Sequence, residues 1–159
     1  MLFKARLVIT AVAAFSACTA NIVLSGSARD CFDGREVPVR GVKVSAFDLG
    51  QAQQLMGHLK TMDRATFAEG DFGAMDRFGA QYSRMISLVD STKALARTIS
   101  DTNGVFGFTV TAVDTVLIVG HLEIEDEPYY HSYKSIPGRS TTPFTLDMSR
   151  GTCSKPSSP

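Results

Sequence analysis

The chain has 159 residues, 44% of them hydrophobic, so one domain with a sizeable core is the expectation. Lysines and arginines balance aspartates and glutamates at 16 each, and no basic cluster stands out, so nucleic-acid binding has no electrostatic footprint here. Ten Phe, no Trp and many Val and Ile lean towards β structure.

Residues 1–20, MLFKARLVITAVAAFSACTA, carry Lys4 and Arg6, then an apolar run from Leu7 to Ala17, then small residues. That is the layout of a secretory signal peptide. The run is shorter than the roughly 20 apolar residues a membrane-spanning helix needs. Two cleavage sites compete. Phe15-Ser16-Ala17-Cys18 resembles the lipobox of bacterial lipoproteins, which would make Cys18 the lipidated N-terminus and its lipid a membrane attachment. Cys18-Thr19-Ala20 offers small residues to an ordinary signal peptidase and would leave Asn21 first. The expected location is therefore outside the cytoplasm: periplasm or outer membrane for a lipoprotein, otherwise secreted.

Either cut removes Cys18 from the free thiols and leaves Cys31 and Cys153. A pair of cysteines in an oxidising compartment reads as a disulfide, the alternative being two separate thiols. It would tie the start of the fold to its tail and contribute on the order of 4 kcal/mol in the chain-entropy account.

The domain is expected over 21–149. NIVLSGSA, Asn21 to Ala28, reads as a first strand, and CFDGREVP, Cys31 to Pro38, as a turn centred on Asp33-Gly34. Val42, Val44 and Ala46 alternate with Lys43 and Ser45, as in a half-buried strand. From Leu49 to Thr92 the period becomes helical. Leu49, Ala52, Leu55, Met56, Leu59 and Met62 share one face, and Met75, Phe78, Tyr82, Met85, Ile86 and Val89 another. Gly70 and Gly73 break the helix between them, with Asp71 or Asp76 as candidate cap of the second helix, which predicts a helical hairpin over 49–92.

Strands resume at Leu95–Ile99. In Asp101-Thr102-Asn103-Gly104 the aspartate can bond its own backbone ahead and the glycine accepts positive φ. Phe106, Phe108 and Val110 then alternate with Gly107 and Thr109. TVLIVGHLEIE, Thr115 to Glu125, is apolar on both faces at first and then alternates. YYHSYKSI and PFTLDMS follow, and the tail over 150–159 has the composition of a flexible segment. About seven short antiparallel strands with one helical excursion predict a two-sheet β-sandwich.

Two motifs carry a family resemblance. Val37-Pro38-Val39-Arg40-Gly41-Val42-Lys43-Val44 resembles the early-strand motif of the carboxypeptidase regulatory-like domain, and Ser100-Asp101-Thr102-Asn103-Gly104-Val105-Phe106-Gly107-Phe108 resembles its second motif. The resemblance implies a transthyretin/Ig-like sandwich, with the helical hairpin as an insertion. It also implies a non-catalytic module in an exported protein.

Among chemistry-bearing residues, the Asp101 turn lacks the further oxygen ligands and final Glu of an EF-hand and reads as a turn that sets hairpin register. His121, Glu123 and Glu125 share one strand face, and His131 lies across the following turn; such a set can ligate a divalent ion, though an outward sheet face is polar without one. Contiguous Tyr129, Tyr130 and His131 alternate faces, which does not suit one shared metal. No Gly-x-Ser-x-Gly, P-loop or dinucleotide fingerprint occurs, and lone His58 beside a helical stripe reads as packed or solvated. No cofactor is called for.

The function expected is a non-catalytic exported module that binds a protein or cell-envelope component through the helical insertion, with Met56, Met62, Phe67 and Phe72 as candidate contacts. Metal binding through His121, Glu123, Glu125 and His131 is one alternative. Carbohydrate binding on Tyr129, Tyr130 and Tyr133 is another.

Overall fold

The chain is described by a computed structural model over residues 21–32, 34–63, 72–123 and 130–148. The leader with Cys18, Phe67, Glu125, Tyr129 and the tail with Cys153 lie outside these residues. Among the described residues, eight strands and two helices follow in the order β1 (Asn21–Phe32), β2 (Arg35–Pro38), β3 (Lys43–Asp48), α1 (Gln53–Asp63), α2 (Phe72–Ser91), β4 (Ala96–Ile99), β5 (Val105–Thr111), β6 (Thr115–Leu122), β7 (Tyr130–Pro137) and β8 (Phe144–Asp147).

The strands form two sheets. In the first, β1 is central. β5 and then β2 pair antiparallel along one edge, and β8 lies parallel on the other, so that Gly26 faces both Phe106 and Phe144. The second sheet has the order β4-β3-β6-β7, antiparallel throughout. The expected mainly β sandwich with a helical hairpin is what the chain forms. Its first strand is longer than the sequence indicates, and the residues flanking the expected turn, Cys31–Phe32 and Arg35–Pro38, belong to paired strands. The backbone groups of Cys31–Phe32 and Arg35–Glu36 pair across Gly34, and Pro38 closes the strand where its missing N–H costs least.

The inner faces of both sheets build the sandwich core from Leu24, Val44, Phe106, Ile118, Phe144 and Leu146 with their neighbours. A second core lies on the opposite face of the β4-β3-β6-β7 sheet. There Phe47, Leu117 and Val119 meet Leu55, Leu59, Tyr82 and Met85 of the two helices. That sheet is buried on both sides, which explains the unbroken apolar run Val116–Val119 in β6. The insertion joins β3 to β4, whose ends stay together: Leu95 N–H donates to Ala46 O at 2.8 Å. Where α2 ends, Arg97 of β4 donates to the otherwise orphaned carbonyls of Val89, at 2.9 Å, and Asp90. His58 of α1 donates through Nε2 to Gln81 O of α2 at 2.8 Å, so it is a packed, bridging histidine.

The two motif segments dock on each other. Ser100 is buried; its hydroxyl donates to Val39 O at 2.8 Å and accepts from Val42 N–H at 3.0 Å. Its backbone bonds Gly41 and Val42, and Gly104 O accepts from Ala28 N–H at 2.8 Å. Asp101 Oδ1 accepts from Asn103 and Val105 N–H, so the loop satisfies its own donors, as an Asx turn does. The SDTNGVFGF stretch is thus a clasp between the two sheets. Ser100→Ala is expected to cost about 1–3 kcal/mol, because it strands a buried N–H and C=O together. Urea unfolding of the variant checks it; a loss below a few tenths would contradict the clasp.

Cys31 stands near the end of β1. Two residues earlier, Arg29 O accepts from Met148 N–H at 2.7 Å, which fixes Met148 beside this end of β1.

Candidate functional site

Strand register, rather than sequence proximity, assembles the polar groups. On the helix-covered face of the second sheet one cross-strand row reads Ile99–Lys43–His121–His131 through β4, β3, β6 and β7. The next row reads Arg97–Ser45–Val119–Tyr133. Directly opposed residues on one face lie side by side. The helices cover Val119 and its neighbours, but α2 ends at Ser91, and the first row lies at the margin of that cover. The result is an open cleft of about 450 Å³ between α2 and the sheet, walled by Ile86, Val89 and Asp90 and floored by Lys43, Arg97 and His121.

His121 is only 5% exposed, and its buried Nδ1 has no hydrogen-bond partner among the described residues. Burial holds its pKa below the ordinary 6.5, and the Lys43 ammonium lowers it further. Glu123 and Asp90 act in the opposite direction, and Arg97 adds a smaller lowering. Glu123 is paired with Lys43 at 3.2 Å, both about half exposed, a geometry that water largely screens.

A histidine with a lowered folded pKa binds fewer protons folded than unfolded once the pH drops below the ordinary value. Its neutral form leaves stability intact above about pH 6.5, and stability is lost as the pH falls from there towards the folded pKa. The urea midpoint of the wild type is therefore expected to fall more between pH 7.5 and 5.5 than that of His121→Phe, which removes the titrating ring. Equal slopes would contradict this account.

The metal-ligand candidates are only partly brought together. His121 and His131 are directly opposed, but His131 lies between the rings of Phe78 and Tyr82, at centroid distances of 6.1 and 6.3 Å. Glu123 is engaged with Lys43, and Glu125 lies outside the described residues. Among the described residues no three His, Cys, Asp or Glu side chains converge to hold an ion. Tyr133 packs against the helix–sheet core, and Tyr130 opens β7. Met56 and Met62, expected as partner contacts, are 8% and 2% exposed and lie in the second core. Their stripe is used by the chain's own sheet, so they are not surface contacts. Phe72 opens α2.

Sequence reasoning missed Lys43, Asp90 and Arg97. Each is an ordinary charged residue in its own segment; the β3–β4 and β3–β6 registers bring Lys43 and Arg97 to His121, and the packing of α2 on that sheet brings Asp90.

No family model matches the chain, and no curated protein does. Among solved structures it is similar to the pilus backbone RrgB of Streptococcus pneumoniae, at 12% identity and a TM-score of 0.36, over 74% of this chain and 33% of that one. It is also similar to the full-length major pilin RrgB of the same organism, at 9% identity and a TM-score of 0.31, over 80% of this chain and 31% of that one. A third is the shaft pilin SpaA of Lactobacillus rhamnosus GG, at 9% identity and a TM-score of 0.34, over 81% of this chain and 48% of that one. The chain spans between 31% and 48% of the length of these pilin structures.

Proposed function

We propose that this chain is a non-catalytic, exported β-sandwich module that binds a protein or cell-envelope component through the outward face of its helical hairpin. The observation that carries the reading is the way the insertion is used. Its apolar side is committed to the chain's own sheet, and Gln54, Lys60, Ser83 and Arg84 are displayed on the outside. Contacts assigned to Met56 and Met62 pass to this polar face. The carboxypeptidase regulatory-like type of sandwich is part of the proposal, supported by the docking of its two motif segments through Ser100 and Gly104.

Export rests on the leader, with lipidation at Cys18 or cleavage before Asn21 as its two forms. The bridge we assign is Cys31–Cys153. Met148, five residues before Cys153, is bonded to Arg29, two residues before Cys31, so the reach is short.

The test places a photo-crosslinking residue at Gln54 or Arg84, and at Thr109 on the opposite sheet as control, in cells of the native host. The expected result is a discrete adduct from the two helical positions and none from Thr109. Adducts from Thr109 alone would overturn the contact face. Intact mass of the non-reduced protein, by fraction, then reads the processed N-terminus. It also reads the two-hydrogen deficit of the disulfide.

A further inference from the structure

We propose that the cleft between α2 and the second sheet is a binding site for a zwitterionic small molecule of the amino-acid class with an apolar side chain. This goes beyond the partner reading and does not rest on it. While β7 sets His131 opposite His121, the charges around His121 are Lys43 on β3, Arg97 on β4, Glu123 after β6 and Asp90 on α2. With the imidazole neutral, they are two cations and two anions. A simple anion or cation entering here meets as much repulsion as attraction. A molecule carrying an ammonium and a carboxylate side by side meets a partner for each, Glu123 or Asp90 for the one and Lys43 or Arg97 for the other.

The apolar part of the ligand has its own surface. Ile86 and Val89 line the helix side, and Ile99 on the rim is 62% exposed, unusual for a strand residue beside a packed helix. A volume of about 450 Å³ lies in the range of small-molecule sites, which run from roughly 300 to 1,000 Å³. On the floor, His121 adds an imidazole whose buried Nδ1 meets no hydrogen-bond partner among the described residues. Such a group costs stability in a folded protein, and a site that uses it is one of the reasons it is kept. Lys43 and Glu123 both line the cleft and pair with each other at 3.2 Å, and the exposure of that pair makes it inexpensive to open.

The test follows the imidazole resonances of His121 by NMR in the purified protein. L-Leucine is the probe, with 4-methylpentanoate (the carboxylate without the amine) and 3-methylbutylamine (the amine without the carboxylate) as controls. Leucine is expected to shift His121 saturably, and each control to bind about tenfold more weakly, the effect of one lost charge-assisted contact. Lys43→Gln and Glu123→Gln, both at half-exposed positions outside the two cores, are each expected to weaken leucine about tenfold. No saturable shift up to the solubility limit of leucine overturns the site. A control that binds as well as leucine overturns the ligand class. A leucine titration unchanged in either variant overturns the charge pairing.

Discussion

Excising residues 50–92 and joining β3 to β4 with a short Gly-Ser linker is expected to give an insoluble chain. The geometry of the join is not the obstacle, because Ala46 and Leu95 are already hydrogen-bonded neighbours and a hairpin turn bridges such ends. The obstacle is the face laid bare. Phe47, Leu117 and Val119 are all fully buried beneath the helices. Each such side chain is worth about 1.5–3 kcal/mol of burial, and three adjacent on a flat sheet make an aggregation surface. Replacing all three by Thr in the excised chain keeps β propensity and removes the apolar face, and is expected to restore a soluble monomer. Size-exclusion chromatography and circular dichroism read both. A soluble, folded excised chain with the native residues would show that the insertion is an appendage rather than half of the core.

Gly104→Ala is expected to destabilise the protein by about 3 kcal/mol or more, because two costs coincide. The residue sits at φ +72°, where an L side chain is strained. An added Cβ would also lie 2.5 Å from Ala28 O and 3.0 Å from Val39 N, both backbone atoms that cannot rotate away. Making room means parting the Ala28–Gly104 hydrogen bond at the clasp. Gly34 supplies the control: it has φ +71° but open space around its would-be Cβ, so Gly34→Ala should cost only the conformational part, about 1 kcal/mol. Chemical denaturation of the two variants separates the terms. Equal losses would mean that the clasp is not closely packed.

Much of this architecture is written in local pattern. Alternation fixes which side chains of β3 and β5 face inward, because Val42, Val44, Phe106 and Phe108 have no other way to be buried together. The 3.6-residue stripes of Leu55, Leu59, Tyr82 and Met85 fix two amphipathic helices. The unbroken run Val116–Val119 already requires cover on both faces of its strand. The Asp101–Gly104 turn is legible because its conformation depends on the residues within it.

The tertiary structure alone decided what an apolar stripe packs against and which distant residues meet. A stripe ending in Met56 and Met62 has the same period whether it faces a partner or its own sheet, and it took the placement of the hairpin over β3 and β6 to bury it. The segment Arg35–Pro38 is too short and polar to read as a strand; pairing with Cys31–Phe32 and their neighbours makes it one. The cleft was invisible for the same reason. Lys43, Arg97 and His121 stand on three strands, and no periodicity within one strand encodes its register against another. Local periodicity therefore determined the elements and their buried faces. Long-range pairing, which depends on how all those faces are satisfied at once, determined the site.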